Sequence, residues 1–348
     1  MATVWFVVIV AMLITYVVLD GFDFGAGIVH LFVARSDEER RTVLAAIGPV
    51  WDGNEVWLIA GGGVSFFAFP RAYAAGFSGF YLPLTIVLWL LILRGLAIEF
   101  RSKEAHPLWC AFWDGTLFVA STLMAIVLGA ALGNLVRGVP LDASGYFSGP
   151  LFTDFRVGPD PGVLDWYTLA VGLFALLVLA AHGCLYLVWK TEGAVRERSR
   201  VLVERLWPGI AVLAIVVTLA TFWIQPLVVD NLRARPFVWI LPLVVIGSMT
   251  AGIVCHRRGR ELSAFLASAF VIAGLLGITA ATVYPNILVS SRAPAYSLTV
   301  ANAAAAASTL RIGLIWWVIA IALAIGYFVY LFSAFAGKVS PQRDGYGH

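Results

Sequence analysis

The chain has 348 residues, 61% of them hydrophobic and 12% charged, and a formal net charge of +3. So much apolar side chain has no use in a soluble domain, whereas a polytopic membrane protein turns it toward lipid. The small charge gives no argument for nucleic acid, and Cys110, Cys184 and Cys255 stand too far apart to form a CxxC metal or redox pair.

The N-terminal stretch MATVWFVVIVAMLITYVVLDGF lacks a basic leader and a small-residue cleavage site, so it is expected to be a retained first span and not a signal peptide. Apolar runs separated by short polar turns predict an all-α membrane protein, a single polytopic domain over 1–348 with about nine spans. The spans are expected near 3–32, 43–69, 77–100, 109–136, 164–189, 201–226, 236–255, 262–285 and 308–335. The second would begin only near Val56 on hydropathy alone, because Asp52 and Glu55 lower it; starting it at Thr42 puts Gly48-Pro49 inside as a kink.

The connections after spans 1, 3, 5 and 7 and the tail, RSDEERR, RSKEAHP, KTEGAVRERSR, HRRGR and GKVSPQR, hold 14 Lys and Arg. The alternate connections hold six: Arg71, Arg137, Arg156, Arg233, Arg235 and Arg292. This bias places the N-terminus outside and the C-terminus in the cytoplasm, which requires an odd number of spans. The longest connections, near 137–163 and 286–307, then lie outside, and the first is rich in Gly, Pro and Asp.

Charges inside a bilayer are costly and need a partner or a hydrated surrounding. The candidates are Asp20 and Asp23 in span 1, Asp52 and Glu55 in span 2, Arg94 and Glu99 in span 3, and Asp114 in span 4. A rise of 1.5 Å per residue puts Asp23 and Asp52 roughly 15 Å, and Arg94 and Asp114 about 8–10 Å, from the inner ends of their spans. Spacings of three put Asp20 with Asp23, and Asp52 with Glu55, on common faces. Gly21-xxx-Gly25 allows close helix approach, with Gly61-Gly62-Gly63 expected as its match in span 2. Such a set reads either as a structural knot locking spans 1–3 or as a path for protons along ordered water, and the two coexist.

Equipment for redox chemistry is sparse. His30 and His182 are the only intramembrane histidines, and His182, in LAAHGCLY, reads as a hydrogen-bonded packing residue and not a haem ligand. His106, His256 and His348 fall in loops or at the terminus, and no P-loop, dinucleotide fingerprint or hydrolase triad is present. Several of the thirteen tryptophans fall near span ends, as an interfacial belt would, and Trp51 and Trp57 flank the acidic stretch.

DGFDFGAG (20–27), GPVWDGNEVWLIAGGG (48–63), FAFP (67–70), FSGFYLPL (77–84), LRGLAIEFRSK (93–103) and YPN (284–286) followed by SLTV (297–300) closely resemble subunit II of the cytochrome bd-type quinol oxidases. The likeness is strongest over 16–135, looser through spans 5–7, and returns at 284–317. It implies two four-helix bundles plus a peripheral helix, in a bacterial or archaeal cell membrane. It also implies a haem-bearing subunit I as partner, carrying two b-type haems, one d-type haem and the quinol-oxidising loop. This chain would bind none of these with its own ligands. A small accessory subunit, quinol, lipid and a structural quinone are further associations of the family, with no residue here to place them. The resemblance makes Asp52 the key carboxylate of a proton-uptake path at the subunit interface, with Asp23 and Arg94 as its partners, while a charge at 55 is dispensable because relatives carry Gln there. The competing class is a stand-alone transporter or channel using Asp23, Asp52 and Arg94 as an ion or substrate site.

Overall fold

A computed structural model describes residues 1–339. Twelve α-helices follow one another among these residues: α1 Ala2–Val33, α2 Asp37–Ile47, α3 Trp51–Ala68, α4 Pro70–Gly79, α5 Tyr81–Phe100, α6 Pro107–Arg137, α7 Trp166–Lys190, α8 Gly193–Ile224, α9 Pro226–Ala234, α10 Ile240–Arg257, α11 Glu261–Val283 and α12 Ala307–Ala334. A short antiparallel pair, β1 Asn286–Leu288 and β2 Leu298–Thr299, lies between α11 and α12. Arg343 and His348 lie outside the described residues.

Among the described residues, eight helices are long and apolar enough to cross a membrane: α1, α5, α6, α7, α8, α10 with the 3-10 turn before it, α11 and α12. The helix at the place of the expected second span, α3, is 18 residues long and is diluted by Asp52, Asn54 and Glu55 in its first two turns. Gly48-Pro49 does not kink one continuous helix; it falls in the break between α2 and α3. The start of the third expected span also differs, since residues 70–79 form the separate helix α4.

Local chemistry explains several boundaries. Ser36 caps α2, its Oγ accepting from Glu39 N while the Glu39 carboxylate accepts from Ser36 N, a reciprocal pair that satisfies two end donors. Asp165 does the same for α7, accepting from Tyr167 N and Thr168 N. Pro107 opens α6, where its missing N–H costs nothing.

One group of helices is formed by α1, α3, α5 and α6, a second by α7, α8, α10 and α11, and α1 packs directly on α7 and α11. Gly25 and Gly183 bring α1 and α7 together, and a Cβ on either would overlap the other helix's backbone. Gly61–Gly63 does not supply the expected match for this strip. Gly61 is buried against Leu13 of α1, away from Gly21 and Gly25, while Gly62 and Gly63 have nothing within 4 Å and lie open. Helix α12 lies on the flank, with no residue of its most apolar stretch buried.

The described parts of the basic segments meet at one end of the molecule. There Arg198 reaches Glu39 and the Val33 carbonyl, Arg101 reaches Asp37, and Arg196 and Lys338 share Glu261. At the other end the two long connections fold onto each other, with Val139 bridging Ser290 and Arg292 paired to Asp160 at 2.6 Å.

Candidate functional site

The buried charges of the first helix group form two clusters. In the inner one, Arg94 of α5 is 1% exposed and grips Asp20 of α1 with both terminal nitrogens, at 2.5 and 3.2 Å. Its Nη2 also donates to Glu55 of α3 at 2.8 Å. The guanidinium lies 4.2 Å above the Phe24 ring, with Trp51 further off at 5.9 Å, so aromatic faces cover what the carboxylates do not. One helical turn along α1, Asp23 accepts from Asn54 Nδ2 at 2.8 Å. Its other oxygen, Oδ1, and Asn54 Oδ1 have no protein partner.

The second cluster sits nearer the basic end. Asp114 of α6, 2% exposed, accepts from Arg40 at 2.7 Å and from Arg101 at 3.0 and 3.3 Å. His30 Nε2 lies 3.8 Å from its Oδ1. Asp37, at the start of α2 and outside the spans, ties Arg101 to Arg41. Burial would raise the Asp37 pKa, but Arg101 and Arg41 outweigh it and hold the group below the usual carboxylate range.

Asp20, Asp23, Glu55 and Arg94 therefore come together, with Asn54 as the amide between Asp23 and α3. Asp114 is one station away. Glu99 is half-buried and makes no ion pair among the described residues. Asp52 is exposed and likewise unpaired, outside the cluster, so Asp23, Asp52 and Arg94 do not converge on a single site. Three residues of α-helix turn through about 300°, leaving Asp52 and Glu55 about 60° apart. That is enough to aim Glu55 at Arg94 and Asp52 out of the molecule.

The open side of α3 continues the line of Asp52. Val56, Ile59 and Phe66 are 52%, 71% and 60% exposed, and the uncovered Gly63 lies among them at the same helical spacing. Asn54 pairs with Asp23, ten residues before the end of α1, so this side carries a carboxylate roughly 15 Å from the basic end. A carboxylate turned to lipid at that depth is costly by a few kcal/mol, about 2.5–3.5 on insertion scales.

The two intramembrane histidines differ in their surroundings. Both ring nitrogens of His182 are engaged, by Ser268 Oγ at 2.6 Å and the Val18 carbonyl at 3.0 Å, and the ring stacks on Phe265. His30 turns its open nitrogen into the Asp114 cluster, beside the cations Arg40 and Arg101. Among the described residues, no group of three or more His, Cys, Asp or Glu is arranged to hold a metal ion.

Arg137 and Lys190 are among the buried charges that escaped the sequence reading. Arg137, at the end of α6, pairs with the α7 cap residue Asp165 and with Asn134. Lys190 donates to the Phe335 and Gly337 carbonyls, both at 2.8 Å, and so ties down the end of α12. Both look like ordinary loop-edge cations in the sequence. The D-x-x-T capping pattern at Asp165 was the one available signal that residues near Arg137 would be ordered.

This arrangement has known relatives. The family model for cytochrome bd terminal oxidase subunit II matches residues 1–335, and the chain belongs to that family. Similar proteins include the cytochrome bd ubiquinol oxidase subunit 2 of Bacillus subtilis, 31% identical over 97% of each chain. The probable cytochrome oxidase subunit 2 of Haemophilus influenzae is 30% identical, covering 97% of this chain and 95% of its own. The fold is similar to a chain in the solved bd oxidase of Geobacillus thermodenitrificans, with a TM-score of 0.76 and 19% identity over 96% of this chain and 98% of that one. Together with its eight apolar helices, this makes the protein a multi-pass membrane protein of the bd oxidase type.

Proposed function

We propose that this chain is the haem-free subunit II of a quinol-oxidising, oxygen-reducing terminal oxidase in the cell membrane. It scaffolds a haem-bearing subunit I and lines a proton-uptake path along their interface, with the basic end in the cytoplasm. The observation that carries the reading is the unpaired Asp52 on the open side of α3. A carboxylate there is tolerable only if protein or water covers it, and a partner subunit laid along Val56, Ile59, Gly63 and Phe66 does so. Two b-type haems and one d-type haem then belong to subunit I. The engagement of His182 and the cationic surroundings of His30 support that division.

In this reading Asp52 takes protons from the basic end and passes them along the seam. Arg94 fixes Asp20 and Glu55 behind it, so that α1, α3 and α5 present a rigid wall.

The experiment is co-expression of the Asp52→Asn chain with its haem-bearing partner, reading quinol-driven oxygen uptake and the haem spectrum together. Normal haem content with uptake lowered by about tenfold or more is expected, in keeping with the loss of a proton-transfer group. Normal haem with full uptake overturns the proton role of Asp52. Loss of both makes the acidic stretch structural.

A further inference from the structure

Asp20, Asp23, Gly27 and His30 follow one another on α1 at steps of three, four and three, which keeps them on one helix face over about 15 Å. That face meets Asn54 of α3 near its middle and Asp114 of α6 at the basic end. Asp114 and Ser121 stand seven residues apart, two turns along one face of α6. Gly27 is packed against Ser121 so closely that a Cβ at 27 would overlap the serine oxygen.

Four polar atoms along this line have no partner in the protein: Asp23 Oδ1, Asn54 Oδ1, Ser121 Oγ and His30 Nε2. Their residues are at most 1% exposed. An unmet buried polar group costs about 1–3 kcal/mol, and native proteins ordinarily meet that cost with bound water. Four in a row joining two charged clusters are hard to explain as separate packing faults.

We propose that these atoms hold a line of water molecules that carries protons inside this chain, from Asp114 at the basic end to Asp23 beside the Arg94 cluster. The inference rests on the proton-uptake reading above and adds an internal leg to the seam at Asp52. The chemistry of His30 fits it. The Gly27 carbonyl, 2.7 Å from Nδ1, can only accept, so Nδ1 keeps its hydrogen and Nε2 carries the lone pair facing Asp114. A proton arriving through Asp114 is bound at Nε2, giving an imidazolium beside the carboxylate. It is then released from Nε2 to water, restoring the neutral ring with nothing consumed. Asp114, Arg40 and Arg101 surround the entry, and Asp20, Glu55 and Arg94 stand at the exit.

Ser121→Ala tests this directly, because a buried hydroxyl that no protein group partners can be removed at little cost in stability. The variant is co-expressed with the haem-bearing partner, and haem spectrum, thermal stability, quinol-driven oxygen uptake and the solvent isotope effect in D2O are measured. Unchanged haem and stability, uptake lowered about threefold or more, and a larger isotope effect are expected. His30→Gln, which removes the titrating nitrogen, is expected to act the same way. Unchanged uptake and isotope effect in Ser121→Ala, with Asp52→Asn still impaired, overturns the internal leg and leaves the interface reading standing. Unchanged uptake in both variants overturns both. Loss of haem or stability in Ser121→Ala makes the hydroxyl structural and also overturns the proposal.

Discussion

The two helix groups bury polar side chains in opposite ways. Around α1, α3, α5 and α6 the buried polar groups centre on ions, with Arg94 shared by Asp20 and Glu55 and Asp114 shared by Arg40 and Arg101. Around α7, α8, α10 and α11 they are mostly neutral and met one to one, as His182 is by Ser268 and Val18. An ion cluster fixes the relative rotation of several helices at once, but it fails as a unit when one charge is removed. A neutral hydrogen bond between two helices costs little to bury and little to lose.

The largest expected break in that contrast is Arg94→Leu. It strands Asp20 and Glu55 without their cation, and breaking a buried pair costs about 3–5 kcal/mol. Purified complex carrying it should show a sharply lowered unfolding temperature and lost assembly; the triple variant that adds Asp20→Asn and Glu55→Gln should recover part of the loss. His182→Leu, on the second side, should cost less, about 1–3 kcal/mol, because Ser268 Oγ still reaches the Phe265 carbonyl and only the side-chain bond to the Val18 carbonyl is lost outright. An equal loss in the two variants would erase the distinction between the groups.

Smaller again is Ser36→Ala, which removes the cap of α2 and should cost about 1 kcal/mol, read as a modest fall in unfolding temperature with activity intact. The pH dependence at that cap should be the smallest effect. Arg198 foremost, then the backbone N–H of Arg35, hold Glu39 below the usual carboxylate range. A depressed folded-state pKa contributes stability above the unfolded value, about 4.3, and that contribution is lost as pH falls through the folded value. The unfolding temperatures of the native chain and Glu39→Gln should therefore differ at pH 7 and converge as the pH falls through the lowered folded value.

Which side chains were legible beforehand follows the same division. Asp20, Asp23 and Arg94 stand out in the sequence because charge in an apolar run is costly wherever the helix points. The different surroundings of Asp52 and Glu55 were not legible, since a 60° difference of azimuth between neighbours on one helix carries no compositional mark. The glycines show the same limit. Gly25 does make the close approach its spacing suggests, but with Gly183 of α7, while Gly62 and Gly63 lie open. Spacing tells that a helix has a smooth strip and not which helix will lie on it. Arg137 and Lys190 sit at helix ends, where a buried and a solvated cation look alike in sequence.

The attachment of α12 bears on the order in which the chain is built. This helix is held chiefly at its two ends: Trp5 donates to the Leu310 carbonyl and Gly313 seats on Phe67 at one, and Lys190 holds Phe335 and Gly337 at the other. Every one of those anchors belongs to a segment made before α12 leaves the ribosome. The final helix can thus close as a latch over a body already folded, and a chain stopped after residue 306 should still insert and pack its earlier helices.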